Sequence, residues 1–534
     1  MIKIRTFISA ISILIFTSIN AAEKNCQQVT ENIEGLIISE IKILNENIFD
    51  LNKSDENAAI HRLANKLHWK TRAATIRQQL LIHQGQQYSQ NLIDEAERKL
   101  REKRYLHSVS IYPEKICNNK VIVIVKTSDN WTLTPSISFG RSGGINRSSF
   151  SISESNLFGL GKNIELKSES NEDRKSQFVK YVDDSLLGSR SKLSLKKANN
   201  SDGYLDSIVI GKPFFQLDSK QSLLLDASRE KKQIATYDKG QIIDITGQLS
   251  ESHNLEYGWS SGLQNKHVSR YKIGWDTIDK QYFNVQDFPD TVLPLDKNIR
   301  YPYLGFEYLE DKYIQRKNFN VMAVIEDISI GKQFSLKAGI LSQSLGSTHD
   351  GFKLTGNYLA GLEISANSLV FIDLSLNSEI NRDAEDLNSI SLKSRFLNYQ
   401  DNNHSYFLKA EFQVADNLLP IDQYVIGGDT GLRGYPIRFQ TGSRKALLSA
   451  EKRTYFNWYP GKLVKFGLAF FADTGSAWDK NQSPNFITDV GIGIRLVATR
   501  QSDSKVLHID FAYPLDEQDN VDNFQLLLKA KSQF

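Results

Sequence analysis

The chain has 534 residues and carries 65 Lys and Arg against 62 Asp and Glu, a formal net charge of +3. So even a balance gives no electrostatic footprint for a polyanion, and no nucleic-acid partner is expected. Beyond the N-terminus no stretch approaches the roughly 18 apolar residues of a spanning helix, so a protein that crosses a membrane with internal helices is excluded.

In chain order, the first element is a leader. Lys3 and Arg5 precede an apolar core from Phe7 to Phe16, and small residues follow at Ala21 and Ala22. This grammar reads as a secretory signal over residues 1–21, with Ile19 and Ala21 at the two positions before the cut. An exported chain meets an oxidising compartment. Its two cysteines, Cys26 and Cys117, are a candidate disulfide, which for a loop of this size contributes on the order of 4 kcal/mol in the chain-entropy model; two free thiols are the alternative.

After an N-terminal segment, 22–35, residues 36–128 mix helix and strand signals. Ile41 and Ile43 alternate as in a strand. Ile76 and Leu80 lie four apart with Gly85 as a stop, and Leu92, Ala96 and Leu100 share one helical face. "SVSIYP" and "NKVIVIVKT" read as two strands turning at Asn118-Asn119. The order β, α, α, β, β predicts a small α+β domain.

From Trp131 onward helical periodicity stops and alternation begins. In "VKFGLAFFADTG" Val464, Phe466, Leu468, Phe470 and Ala472 oppose Lys465, Gly467, Ala469, Phe471 and Asp473. Val490, Ile492, Ile494 and Leu496 oppose Gly491, Gly493 and Arg495. Leu507, Ile509, Phe511 and Tyr513 oppose Val506, His508 and Asp510. Phe524, Leu526, Leu528, Ala530 and Phe534 oppose Gln525, Lys529 and Lys531. A period of two is the signature of strands. A soluble sandwich would alternate too, but the length of the region, the charged and small residues opposite the apolar face, and Tyr and Trp near segment ends favour an all-β antiparallel transmembrane barrel over 131–534. Those 404 residues, at about 25 for a strand with its share of turn, predict roughly 16 strands.

One stretch stands apart: "GGDTGLRGYPIR", Gly427 to Arg438. Its Asp429-Thr430-Gly431 repeats at Asp473-Thr474-Gly475, which raises an aspartic-protease reading, two carboxylates sharing a proton. The copies are too close in sequence for a two-lobed protease, and Asp473 ends a strand. A phosphate loop would need Lys-Ser or Lys-Thr after the glycines. His61, His68 and His83 lack metal-ligand spacing. No Ser/His/Asp or Cys/His set can be nominated. No catalytic residue, metal or cofactor is therefore expected. Two readings stay open. Glycines let a loop fold back tightly, so this one could enter a lumen and carry Arg433 to Asp473 or Glu451; or it is a surface loop with a solvated arginine.

These residues carry a resemblance. "GGDTGLRGY" resembles the signature of the BamA/TamA-like outer-membrane assembly and two-partner-secretion transporter superfamily (bacterial surface antigens). "SAEKRTYF", "FADTGSAW", "VGIGIRL" and "IDFAYPL" resemble the family strands that follow, in the same order. "SNLFGLGKNIEL" resembles the first barrel hairpin, and "LREKRYLHSVSI" resembles part of a POTRA module. The resemblance implies that Gly427, Gly428, Leu432, Arg433, Gly434 and Tyr435 form an extracellular loop folded into the lumen. It implies that Arg433 pairs with Asp473, that Glu451 and Arg453 line the same wall, and that Phe534 is the terminal aromatic signal read by the barrel-assembly machinery. Leu432 departs from the usual valine or isoleucine. A single POTRA-like module, where the main assembly protein has five, argues against the essential assembly role. The implied function is insertion or translocation of client polypeptides in a Gram-negative-type outer membrane, with the N-terminal domain in the periplasm. A two-partner-secretion pore for one dedicated partner is the alternative. Outer-membrane lipids and the assembly machinery are the other implied partners.

Overall fold

The computed structural model describes residues 26–29, 32–320, 325–498, 505–518 and 521–531. The expected leader over 1–21 and the terminal Phe534 lie outside these residues.

The N-terminal domain is a four-stranded sheet packed on helices. Its strands are β1 (Cys26–Gln28), β2 (Ile37–Glu46), β3 (Leu106–Cys117) and β4 (Lys120–Asp129), in the order β1-β3-β4-β2. Its helices are α1 (Ala59–Leu67), α2 (Ala73–Gln79) and α3 (Gln90–Arg101). β3 and β4 form a hairpin through Asn118 and Asn119, both left-handed (φ 50° and 58°), the geometry in which Asn is the tolerated non-glycine residue. β2 runs parallel to β4, and the helices supply the crossover. One core joins Ile38, Ile76, Ile93, Leu100, Val121, Val123 and Val125. The buried face of α3 is Ile93, Ala96 and Leu100, with Leu92 only partly buried. α2 ends at Gln79, short of Gly85, which is left-handed (φ 87°) in the following loop. Cys26 and Cys117 are bonded to each other and tie the three-residue β1 to the end of β3.

Residues from Leu133 on close into an antiparallel barrel of 20 strands, not 16. The count was low because the turns are tight. Strands Asn163–Ser170, Lys175–Asp183, Lys192–Asn200 and Gly203–Lys212 fit four crossings into fifty residues. β5 (Leu133–Ser142) and β6 (Ile145–Glu154) are joined by Gly143 and Gly144 alone, both at positive φ (51° and 85°). Alternation is clearest on the C-terminal strands. On strand Val464–Trp478, Gly467, Ala469, Phe471 and Asp473 are buried inward while Phe470 is 54% exposed outward. On the next two strands Arg495 and Asp510 point in while Ile492, Ile494 and Tyr513 point out. A closed barrel leaves no open sheet edge, which lets strands cross hydrocarbon. An outward aromatic row, Trp259, Tyr271, Phe306 and Phe334, crosses four strands with ring centroids 5.6–6.3 Å apart, the girdle expected at a membrane interface.

Two features position the site. Among the described residues, the ring closes between β5 and the last strand, Gln525–Lys531, through one ladder pair, Arg141 with Leu528. Neighbouring strands elsewhere hold many more, twelve between Arg444–Tyr455 and Val464–Trp478. The N-terminal domain, for its part, packs on the turns at one mouth. Arg72 N–H and the Thr75 hydroxyl donate to the Gly159 carbonyl at 3.1 and 2.8 Å. Leu217 N–H donates to Glu95 at 2.8 Å, and Arg98 pairs with Asp311 at 3.0 Å.

Candidate functional site: an inward loop gripped by the barrel wall

The chain between strands His404–Asp416 and Arg444–Tyr455 does not form a short hairpin. It leaves through a two-stranded ribbon, Tyr424–Ile426 paired with Gln440–Gly442, whose far end carries residues 427–439. Gly427 and Gly428 take φ 129° and 56°, and their N–H groups donate to the Gly431 and Leu432 carbonyls at 2.9 and 3.0 Å. This fold-back needs glycine, because a side chain at Gly427 would meet the Pro436 carbonyl at 2.2 Å. Leu432 itself is left-handed (φ 61°) and fully buried. A branched residue there is strained, and burial against Ile426, Leu447 and Tyr435 holds it.

That strained turn aims Arg433 at the wall. Its Nε and Nη2 donate to the two oxygens of Asp473 at 2.7 and 2.9 Å, a bidentate fork, and Nη1 donates to Glu451 at 2.8 Å. The guanidinium lies 3.5 Å from the ring centroid of Phe471, and Asp510 stands 3.6 Å from Nη1. Ser449 donates its hydroxyl to Asp473 and lies 3.4 Å from Nη2. Arg453 donates to the second Glu451 oxygen at 2.9 Å and stacks on Phe407 at 3.9 Å, and Arg495 bonds Asp510. Three arginines thus interleave with three carboxylates from the strands bearing Glu451, Asp473 and Asp510. In a region shielded from water such an array is stable only while each charge keeps its partner.

Tyr435 is fully buried, and its hydroxyl donates to the Thr488 carbonyl at 2.9 Å beside Asp516 at 3.1 Å. Gly434 passes so close that a β-carbon would lie 2.7 Å from that of Asp489. At the loop's other shoulder Asp429 turns away from Asp473. It takes Arg147 Nη1 of β6 at 2.8 Å and Lys529 Nζ of the last strand at 3.3 Å. The two Asp-Thr-Gly copies therefore do not share a proton; each carboxylate holds its own cations. A lumenal cavity of about 490 Å³ opens beside the loop, lined by Asp429, Arg433 and the basic side chains Lys393, Arg395 and Lys409 among others.

The structure brings Arg433, Asp473, Glu451 and Arg453 together, and it places Gly427, Gly428, Leu432, Gly434 and Tyr435 on the turn that delivers the arginine. Sequence reasoning missed Ser449, Phe471, Arg495, Asp510 and the role of Asp429. Arg495 and Asp510 carried a signal, since both fall on the polar face of their strands; nothing local marks Ser449 or Phe471.

The family model for the Omp85 superfamily domain matches residues 156–530. The chain belongs to the Omp85 superfamily. Members of this family are outer-membrane transporters and insertases rather than enzymes. Among solved structures, BamA from Haemophilus ducreyi lacking POTRA domains 1–3 is 13% identical, over 92% of this chain and 84% of that one, with a TM-score of 0.40. CdiB from Acinetobacter baumannii is 13% identical over 92% and 74% of the two chains (TM-score 0.43). CdiB from Escherichia coli is 10% identical over 95% and 79% (TM-score 0.47). No curated protein matches the sequence.

Proposed function

We propose that this Omp85 protein inserts or translocates client polypeptides, with the N-terminal sheet as a POTRA-like periplasmic capture module and the Arg433 loop as the gate. One observation carries the reading. A buried bidentate arginine pins the loop inside a barrel whose first and last strands meet, among the described residues, in one ladder pair. The arrangement has a strong wall, a weak seam and a movable tie between them. Capture has a physical basis in β2. The segment 85–88 hydrogen-bonds its first half, while Ile41–Glu46 has no backbone partner on that edge among the described residues. An extended client can add there through main-chain bonds, which are tolerant of sequence. The lumen already holds the loop, and this favours exit through the seam over export of a dedicated partner through the pore.

The test is Arg433→Ala in the full chain, followed by planar-bilayer conductance and by photo-cross-linking of clients to β2 and β5. The expected outcome is a barrel that still inserts, with altered conductance and loss of client adducts at β5. Unchanged conductance together with unchanged adducts would remove the gate role. Adducts confined to lumen-facing residues would replace the seam route with the secretion-pore reading.

A further inference from the structure

α1 is an amphipathic helix mounted the wrong way round for a soluble domain. Its polar side faces the domain. The Asn65 amide donates to the Phe49 carbonyl at 2.8 Å and accepts the Phe49 N–H at 3.1 Å, and His61 stacks on Phe49 at 4.4 Å. Its apolar stripe, Ile60, Leu63 and Leu67, spaced three and four apart on one face, is 57, 54 and 61% exposed. Large apolar side chains left in a contiguous stripe mark an interaction surface.

The position of the stripe names the occupant. Ile60 and Leu63 border a cleft of about 350 Å³ whose other wall is Trp131, Leu463, Val464 and Ala498 at the barrel rim. Val464 and Ala498 pair in register and lie on the outward face of their strands, in line with Phe470 and Ile494. The cleft therefore opens on the side of the barrel that meets lipid. The apolar surface continues along that rim, where Trp69, 47% exposed, packs on Phe158 at 4.9 Å, and Leu187 in the next turn is 96% exposed.

We propose that α1 lies in the plane of the bilayer interface, in the leaflet on the domain's side, with the cleft between helix and rim filled by a lipid acyl chain. A helix with this polarity belongs at the boundary between headgroups and chains, where its apolar face leaves water and its polar face keeps its partners. The continuity of the stripe with the barrel's lipid face selects lipid over a soluble partner. The consequence is a domain tied to the membrane next to the strands that open and close the ring.

The native cysteines are joined to each other, so a single introduced thiol can be labelled. Leu63→Cys and Leu67→Cys, each carrying an environment-sensitive fluorophore, are compared with Glu40→Cys, exposed on β2 beside Ile122, at the end of β4 opposite the one that runs into the barrel. The full chain sits in nanodiscs of phosphatidylethanolamine and phosphatidylglycerol, with and without lipid bearing a nitroxide near the headgroup. Quenching about threefold stronger at the α1 positions than at position 40, with blue-shifted emission, is expected for an interfacial helix. Equal, weak quenching at all positions would overturn the proposal. Blue-shifted emission at α1 without quenching would also overturn it, because protein, a second copy or a client, would then cover the stripe. Leu187→Cys provides a second quenching position that leaves the helix untouched.

Discussion

The wall that grips the loop and the seam that closes the ring are built from the same antiparallel ladder, yet they are held in opposite ways. Between Arg444–Tyr455 and Val464–Trp478 twelve register pairs run without interruption, and their inward face carries Glu451 and Asp473 on Arg433. Between β5 and the last strand one pair is made among the described residues, Arg141 with Leu528. Backbone bonds hold the wall; side-chain charges borrowed from the loop, through Asp429, help hold the seam. A barrel can thus keep a rigid frame and still have one place to part, provided that the tie between the two is reversible.

The sharpest break is at the wall. Asp473→Ala removes both acceptors of the bidentate fork and leaves Arg433 buried with Glu451 at 2.8 Å and Asp510 at 3.6 Å. Loss of one member of a buried ion pair costs about 3–5 kcal/mol. Amides of residues 427–435 should then exchange with solvent hundreds of times faster, while strand Val464–Trp478 keeps its protection. Protection lost equally along the strand would mean that Asp473 supports the wall itself rather than the loop.

Gly434→Ala probes the same lock without touching a charge. The added β-carbon would sit 2.7 Å from the Asp489 β-carbon and 3.0 Å from the Pro514 nitrogen, neither of them a flexible end. Overpacking of this kind costs about 1–3 kcal/mol, and here the loop is the part free to yield. The expected result is a partially released loop, seen as faster maleimide labelling of a Leu432→Cys reporter. Labelling as slow as in the reporter alone would show that the wall yields instead.

Much of this frame was legible in the residues. The alternation of Phe466 and Phe470 against Ala469 and Asp473 marks the lipid and lumen faces of a strand, because a two-residue period has one physical meaning in a half-buried sheet. The glycines around Arg433 leave a lumenal loop and a surface loop both open, and only the resemblance of "GGDTGLRGY" to the family signature points inward. The number of strands was not legible, since it depends on turn lengths in the region from 163 to 212, where pattern fixes faces but not where a chain reverses. Asp429 was misleading. Its Asp-Thr-Gly setting drew attention to chemistry, whereas its partners, Arg147 and Lys529, lie 282 and 100 residues away in sequence, and only the closed ring brings them together. α1 was not read at all: the helices expected in this domain lie around 76–80 and 92–100, and a stripe of three apolar residues, Ile60, Leu63 and Leu67, does not say whether it faces a core or the outside.

Asp429→Asn acts on the seam. Each of its charge-assisted bonds is half-shielded, with side-chain exposures of 19% for Asp429, 20% for Arg147 and 37% for Lys529. The loss is therefore about 1 kcal/mol, after discounting for solvent. Directly opposed residues on neighbouring strands have β-carbons within cross-linking reach, so Arg141→Cys with Leu528→Cys reports closure by disulfide formation. Adding Asp429→Asn should slow that reaction several-fold, and Arg433 should remain docked. If cross-linking is unaffected, the seam is held by its backbone ladder and by lipid, and the loop's two ends do separate jobs.

The smallest effect belongs to a contact far from both. Burial pushes the Glu95 carboxyl above its ordinary value of about 4.5; the Leu217 N–H bond and the Arg98 and Lys99 charges pull the other way, and Asp311 adds to the rise. A carboxyl with a raised value in the docked domain binds its proton more readily there than in the free one. Docking is therefore favoured below about 4.5, weakens as pH climbs through the raised value, and levels off above it. Spin labels on α3 and on the 213–219 turn should show a distance distribution that narrows on acidification, and Glu95→Gln should flatten that response. Seam cross-linking between positions 141 and 528 should not follow the same curve, because Glu95 meets the barrel at the turn before strand Gln221–Asp238 rather than at β5. A seam that tracked the Glu95 titration would show that the domain controls the opening directly, and the separation between rigid wall and weak seam would have to include the domain as a third part.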